Sequence, residues 1–104
     1  MEKCCGIVEE RIQIATLSDT CALMESVDYK KRFIAEYLQT KIRYEKLKAF
    51  CNKIEAAQLM IAPEPEHDCP LHLLKDQQRA MGEYLHILEI RAVIEDINLE
   101  KYEG

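Results

Sequence analysis

Glycine and proline are scarce here: three of each stand among 104 residues, and tryptophan is absent. So few turn-formers cannot supply the many tight turns of an all-β sandwich or barrel, and helix becomes the default. No apolar run approaches the roughly eighteen residues that a membrane span needs, so no transmembrane helix is expected. Also missing are a glycine-rich phosphate loop, a nucleophile elbow and a His-Glu-x-x-His helix. With three histidines and no Ser–His–acid grouping, the chain is not expected to be an enzyme or to carry a cofactor.

What is present begins with five cysteines, Cys4, Cys5, Cys21, Cys51 and Cys69, an odd and scattered set. The acidic start (Glu2, Glu9, Glu10) lacks the basic-then-apolar pattern of a secretory signal, so reduced thiols in a cytoplasm are expected rather than a disulfide framework. The densest metal-type cluster is His67-x-Cys69-x-x-His72. A zinc site normally takes four ligands, often with a paired Cys-x-x-Cys, so no metal is expected there.

The net charge of −5 conceals a segregation. Residues 1–28 carry −4, residues 29–62 carry +5 and residues 63–104 carry −6. A basic middle lying between acidic flanks suits side-by-side neutralisation of packed elements. It also suits a small phosphate-bearing ligand or an acidic protein better than a nucleic-acid duplex, which rewards many phosphate contacts at once.

Residues 28–62 contain neither glycine nor proline. Their apolar line Phe33, Tyr37, Thr40, Tyr44, Leu47, Cys51, Ile54, Gln58, Ile61 follows a 4-3 spacing, widened at its start by Ile34, Leu38 and Ile42. This predicts a long amphipathic helix. Ser26 or Asp28 caps it, and Pro63 and Pro65 stop it. A second helix is expected over about 70–97, with Pro70 in its first position and Asp68 or Cys69 as cap. Its line is Leu71, Leu74, Gln78, Met81, Leu85, Leu88, Ala92, widened by Tyr84, Ile87 and Ile94. The turn at 63–69 is short enough for an antiparallel helical hairpin. Residues 1–26 read as an arm, with a strand-like alternation at Arg11–Ile14 set against a poor helix edge at Ile7, Ile12, Ala15 and Leu17. The fold class is mainly all-α.

Length then becomes an argument. A helix of this size is about 50 Å long, whereas a compact domain of about 100 residues spans only some 35 Å. The stripes are too long for the remaining residues to cover, so a homo-oligomeric helical bundle is expected.

Residues spaced by seven return to nearly the same face of a helix. Gln77, Tyr84 and Arg91 form one such line, and Tyr37 and Tyr44, with Arg43 beside them, form another. Tyrosine offers a flat apolar face plus a hydroxyl, and arginine a planar fork of donors suited to phosphate. These six are the candidate ligand-binding residues, set against the plainer reading in which the tyrosines are core and Arg91 pairs with Glu95. Gly82, inside the second helix, marks either a close approach or a tolerated surface position.

DYKKRFIAEY at 28–37, RYEKLKAF at 43–50 and above all DCPLHLLKDQQRAMGEYLHILEIRAVIEDI at 68–97 resemble a family of small, largely uncharacterised helical proteins of tailed phages and prophages, related to crAss-like phage. The resemblance covers about two thirds of the chain and omits the amino-terminal arm. It implies a phage protein acting in the cytoplasm of an infected bacterium. Small non-enzymatic phage proteins of this kind are often counter-defence factors, which suggests sequestration of a nucleotide-derived immune signal between protomers. The alternatives are inhibition of a host defence protein by direct binding, and a structural or accessory role. A membrane partner is not expected, and nucleic acid ranks last.

Overall fold

The computed structural model describes residues 16–100. These form a 3-10 turn (Leu17–Thr20), a one-turn helix α1 (Cys21–Met24), a 32-residue helix α2 (Tyr29–Met60) and a 24-residue helix α3 (Leu71–Ile94). There is no strand among the described residues, and the strand-like alternation at Arg11–Ile14 lies outside them. The longest dimension, 49 Å, is about the length that α2's residue count alone requires. The radius of gyration of 16.5 Å exceeds the roughly 13 Å of a compact chain this size.

α2 starts where two short polar side chains satisfy backbone donors. Asp28 accepts from the Lys30 N–H at 2.9 Å, and the Ser26 hydroxyl accepts from the Asp28 N–H at 3.0 Å. Arg32 ties the same entry loop down by donating to the Ser26 carbonyl at 2.9 Å. α3 differs from expectation by one residue at its start. Pro70 is its cap rather than its first helical residue, with extended backbone (ψ 147°) and a carbonyl that accepts from Leu73 and Leu74. Neither Asp68 nor Cys69 caps it.

Both long helices end alike. Ile61 and Asp96 adopt left-handed backbone, with φ of 52° and 60°. The residue after each donates back across the last turn, Ala62 to Ala57 and Ile97 to Ala92, which satisfies carbonyls the helix leaves open. The bend at Asp96 shortens α3 to Ile94 instead of 97, and it returns Ile97 to the core. The bend at Ile61 does the opposite. It leaves Ile61 92% exposed, although the 4-3 spacing placed it on the buried line.

Contacts between α2 and α3 rise along one helix as they fall along the other: Tyr29 with Glu95, Tyr37 with Glu89, Tyr44 with Gly82, Glu55 with Lys75. The two helices therefore run antiparallel. The main core lies at one end, where Phe33, Tyr37 and Leu38 of α2 meet Leu85, Leu88 and Ala92 of α3, with Leu23 of α1 and Ile97 added. The 3-10 turn is fastened to this core by a polar anchor. Thr20 is fully buried, donates to the Leu17 carbonyl and accepts from Gln39 Nε2, both at 2.7 Å. Burying a hydroxyl is tolerable only when it is paired in this way.

Candidate functional site

The antiparallel seam has two sides, and they separate the candidate residues. On α3 two lines spaced by seven run side by side: Gln77, Tyr84, Arg91 and Lys75, Gly82, Glu89. They lie two positions apart, about 200° of rotation, so they open on opposite sides of the seam.

The first side is a linked polar network. Tyr84 donates its hydroxyl to Glu36 of α2. Arg91 lays its guanidinium over the Phe33 ring, 4.8 Å from the centroid, and donates to Glu95 at 2.8 Å. Tyr29 donates to the same carboxylate at 2.9 Å. Glu95 is held below the ordinary carboxylate range, first by Arg91 and then by Tyr29, and the Tyr29 phenol is pushed up by its bond to Glu95. Both Tyr84 (39%) and the Arg91 side chain (48%) keep solvent access, so neither is sealed in a dry core despite its carboxylate partner. Arg43 and Gln77 are exposed, and among the described residues Gln77 makes only a long contact to the Met81 sulfur.

The second side combines one buried tyrosine with a solvent-open hollow. Tyr37 is buried, and its hydroxyl donates to Glu89 at 2.8 Å. Tyr44 explains Gly82: a Cβ built on that glycine would stand 3.3 Å from Tyr44 Cε1 and 3.5 Å from its hydroxyl oxygen. The missing side chain lets the ring approach the α3 backbone. Beside this contact an open hollow of about 670 Å³ is lined by Tyr44, Lys75, Arg79, Gly82, the carboxylate Glu83 and His86, among others. Lys75 is paired with Glu55, and Arg79 with Asp76 at 2.7 Å. The structure thus sets Tyr84 and Arg91 on one side of the seam, and Tyr37 and Tyr44 on the other, within one chain. Sequence reasoning missed Glu36 and Glu89 as partners. It also missed Arg79 and His86, although the spacing 75, 79, 82, 86 already put them on one helical face.

At the connector between the long helices, His67 is fully engaged. Its Nδ1 lies 2.7 Å from the Cys69 carbonyl, and its Nε2 lies 3.0 Å from Glu64. Glu64 in turn accepts from Gln58, and the Phe50 ring meets the imidazole edge-on. Both ring nitrogens face acceptors, so the arrangement favours the protonated ring, and the His67 pKa is raised chiefly by Glu64. Cys69 and His72 are exposed, and among the described residues no three metal-type side chains converge. Cys51 is buried, which pushes its thiol up. Cys4 and Cys5 lie outside the described residues.

A pair of long antiparallel helices with polar–aromatic sides defines a small helical protein. The model of the Sequestin family matches residues 27–94, which takes in all of α2 and α3, and the chain belongs to that family. Neither the comparison with curated proteins nor that with solved structures returned a match.

Proposed function

We propose that this chain is a non-enzymatic sequestering protein of phage origin, which takes up a nucleotide-derived bacterial immune signal without turnover. The observation that carries the reading is membership of the Sequestin family across both long helices. The family name speaks of sequestration, and stoichiometric capture needs a binding surface rather than catalytic groups. Supporting it, Tyr84 and Arg91 set an aromatic ring and a phosphate-type fork two turns apart on one solvent-accessible face of α3, where a ligand would compete with their present partners Glu36 and Glu95.

The pocket in this reading lies between protomers of a homo-oligomer in the cytoplasm of the infected cell. Ile87, Ile90, Val93 and Ile94 are exposed on α3, with Val93 at 82%. A second copy laid against them would bury this apolar surface. In this reading the pocket draws on the exposed candidates, Tyr84, Arg91, Arg43 and Gln77, while Tyr37 stays in the core of its own chain.

Calorimetric titration with cyclic dinucleotides and cyclic isomers of ADP-ribose, alongside native mass spectrometry, tests both halves of the reading. Saturable binding at a fixed ratio to an oligomer is expected. Silence from every compound up to about millimolar concentration would sink the sponge.

A second reading is favoured by a different observation. Leu59, Met60 and Ile61 are all strongly exposed at the end of α2. Three consecutive apolar side chains in water suit docking to another protein, as an inhibitor of a host defence protein would require.

A further inference from the structure

The geometry points to a phosphate-binding notch at Gly82, on the second side of the seam, built from Tyr44, Arg79 and His86. The proposal rests on the nucleotide-sponge reading and assigns where the phosphate end of such a ligand is held. None of the six residues expected from seven-residue spacing lies there except Tyr44.

Lys75, Arg79, Gly82 and His86 follow one another at intervals of four, three and four, and so share a face of α3. Three of these positions carry a cationic or imidazole side chain, and the fourth carries none. The result is a gap in a row of donors, flanked by Arg79 on one side and His86 on the other. Its floor is supplied by α2: the Tyr44 ring lies against the gap, with its hydroxyl oxygen 3.5 Å from the point a Cβ would occupy. The adjoining hollow of about 670 Å³ falls within the range of small-molecule pockets, roughly 300–1,000 Å³.

The state of these donors is what suits them to an anion. Neither the Tyr44 hydroxyl nor the His86 ring makes a hydrogen bond to another described residue. Among the described residues Arg79 is engaged only by Asp76, three residues back on the same helix, in a pair whose members are 64% and 54% exposed. An exposed pair of that kind is weak, so a phosphate can draw the guanidinium away at small cost. A phosphate monoester or diester at the notch would take charge-assisted bonds from Arg79, with the phenol and imidazole N–H as further donors. Gln78, half-buried in the same hollow, has an amide to match a base edge.

The test uses the full-length chain and the same cyclic dinucleotides and cyclic ADP-ribose isomers, with Tyr44→Phe, Arg79→Ala and His86→Ala. Tyr44→Phe keeps the ring packed on Gly82 and removes only the hydroxyl, and thermal unfolding checks that all variants fold. Lys53→Ala, an exposed cation elsewhere on α2, controls for bulk charge. Expected is a loss of affinity of about tenfold or more for Arg79→Ala, smaller losses for the other two, and no change for Lys53→Ala. If the wild type binds while the three variants bind equally well, the notch is wrong and the sponge reading stands. An equal loss in Lys53→Ala also overturns the notch, as non-specific charge attraction. If the wild type binds none of the compounds, the sponge reading itself fails and the notch falls with it.

Discussion

The first half of α2 buries Phe33, Ile34, Ala35, Tyr37 and Leu38, while its second half buries only Cys51, Ile54 and Ala57. The same helix thus changes from a broad apolar face to a narrow one partway along. The reason is the number of neighbours. The first half is packed on one side by α3 and on another by α1 and the 3-10 turn, whereas the second half has α3 alone among the described elements. Stripe width on a helix therefore reports how many elements cover it, and the narrowing at Ile42 marks where α1 stops contributing.

The largest effect should come from breaking the broad half. Leu88 is almost fully buried in the main core, so Leu88→Ala should cost about 2–5 kcal/mol in chemical unfolding. Ile54→Ala, equally buried but in the narrow half, should fall lower in that range, because a site with open surroundings collapses more completely. The reverse order would show that the two halves do not differ as described.

An intermediate effect should come from uncoupling the extra neighbour. Thr20→Val keeps the volume but leaves Gln39 Nε2 without its hydroxyl acceptor, at a cost of about 1–3 kcal/mol. Amide exchange should accelerate in residues 17–24 and leave α3 protected. Uniform acceleration would mean that the turn and α1 are not a separable layer.

The smallest effect concerns the narrow end, where pH acts on the connector. The His67 pKa is raised above its ordinary 6.5, so the stability it contributes is complete below that value and is lost as pH climbs through the raised pKa. Glu64 is lowered from its ordinary 4.5, so its contribution is complete above that value and is lost as pH falls through the lowered pKa. The connector should accordingly be firmest between about 4.5 and 6.5. A proton NMR titration placing His67 below 6.5 would contradict this.

How much of this was legible depends on period. The line from Leu71 through Leu85 and Leu88 to Ala92 was readable because a single helix-on-helix contact imposes one repeat over many turns. Ile34, Leu38 and Ile42 announced a wider face, but a four-residue helix such as α1 has no period of its own. Its docking runs through Thr20 and Gln39, which a hydropathy pattern does not register. Tyr84, Ile87 and Ile94 were read as widening the inner face of α3, yet they are exposed. Membership of one helical line does not fix which side faces the neighbour. The same ambiguity hid the separation of Tyr37 and Tyr44 from Tyr84 and Arg91, since that depends on the mutual rotation of two helices.

Gly82 also has a mechanical consequence. The Tyr44 ring fits the one bare position on α3, so sliding the helices past each other by a turn, about 5.4 Å, would push the phenol against Gln78 or His86. The glycine acts as a detent that sets axial alignment. Longitudinal slippage would first have to lift the ring off this position, so side chains and the connector can shift at less cost than the alignment of the two helices.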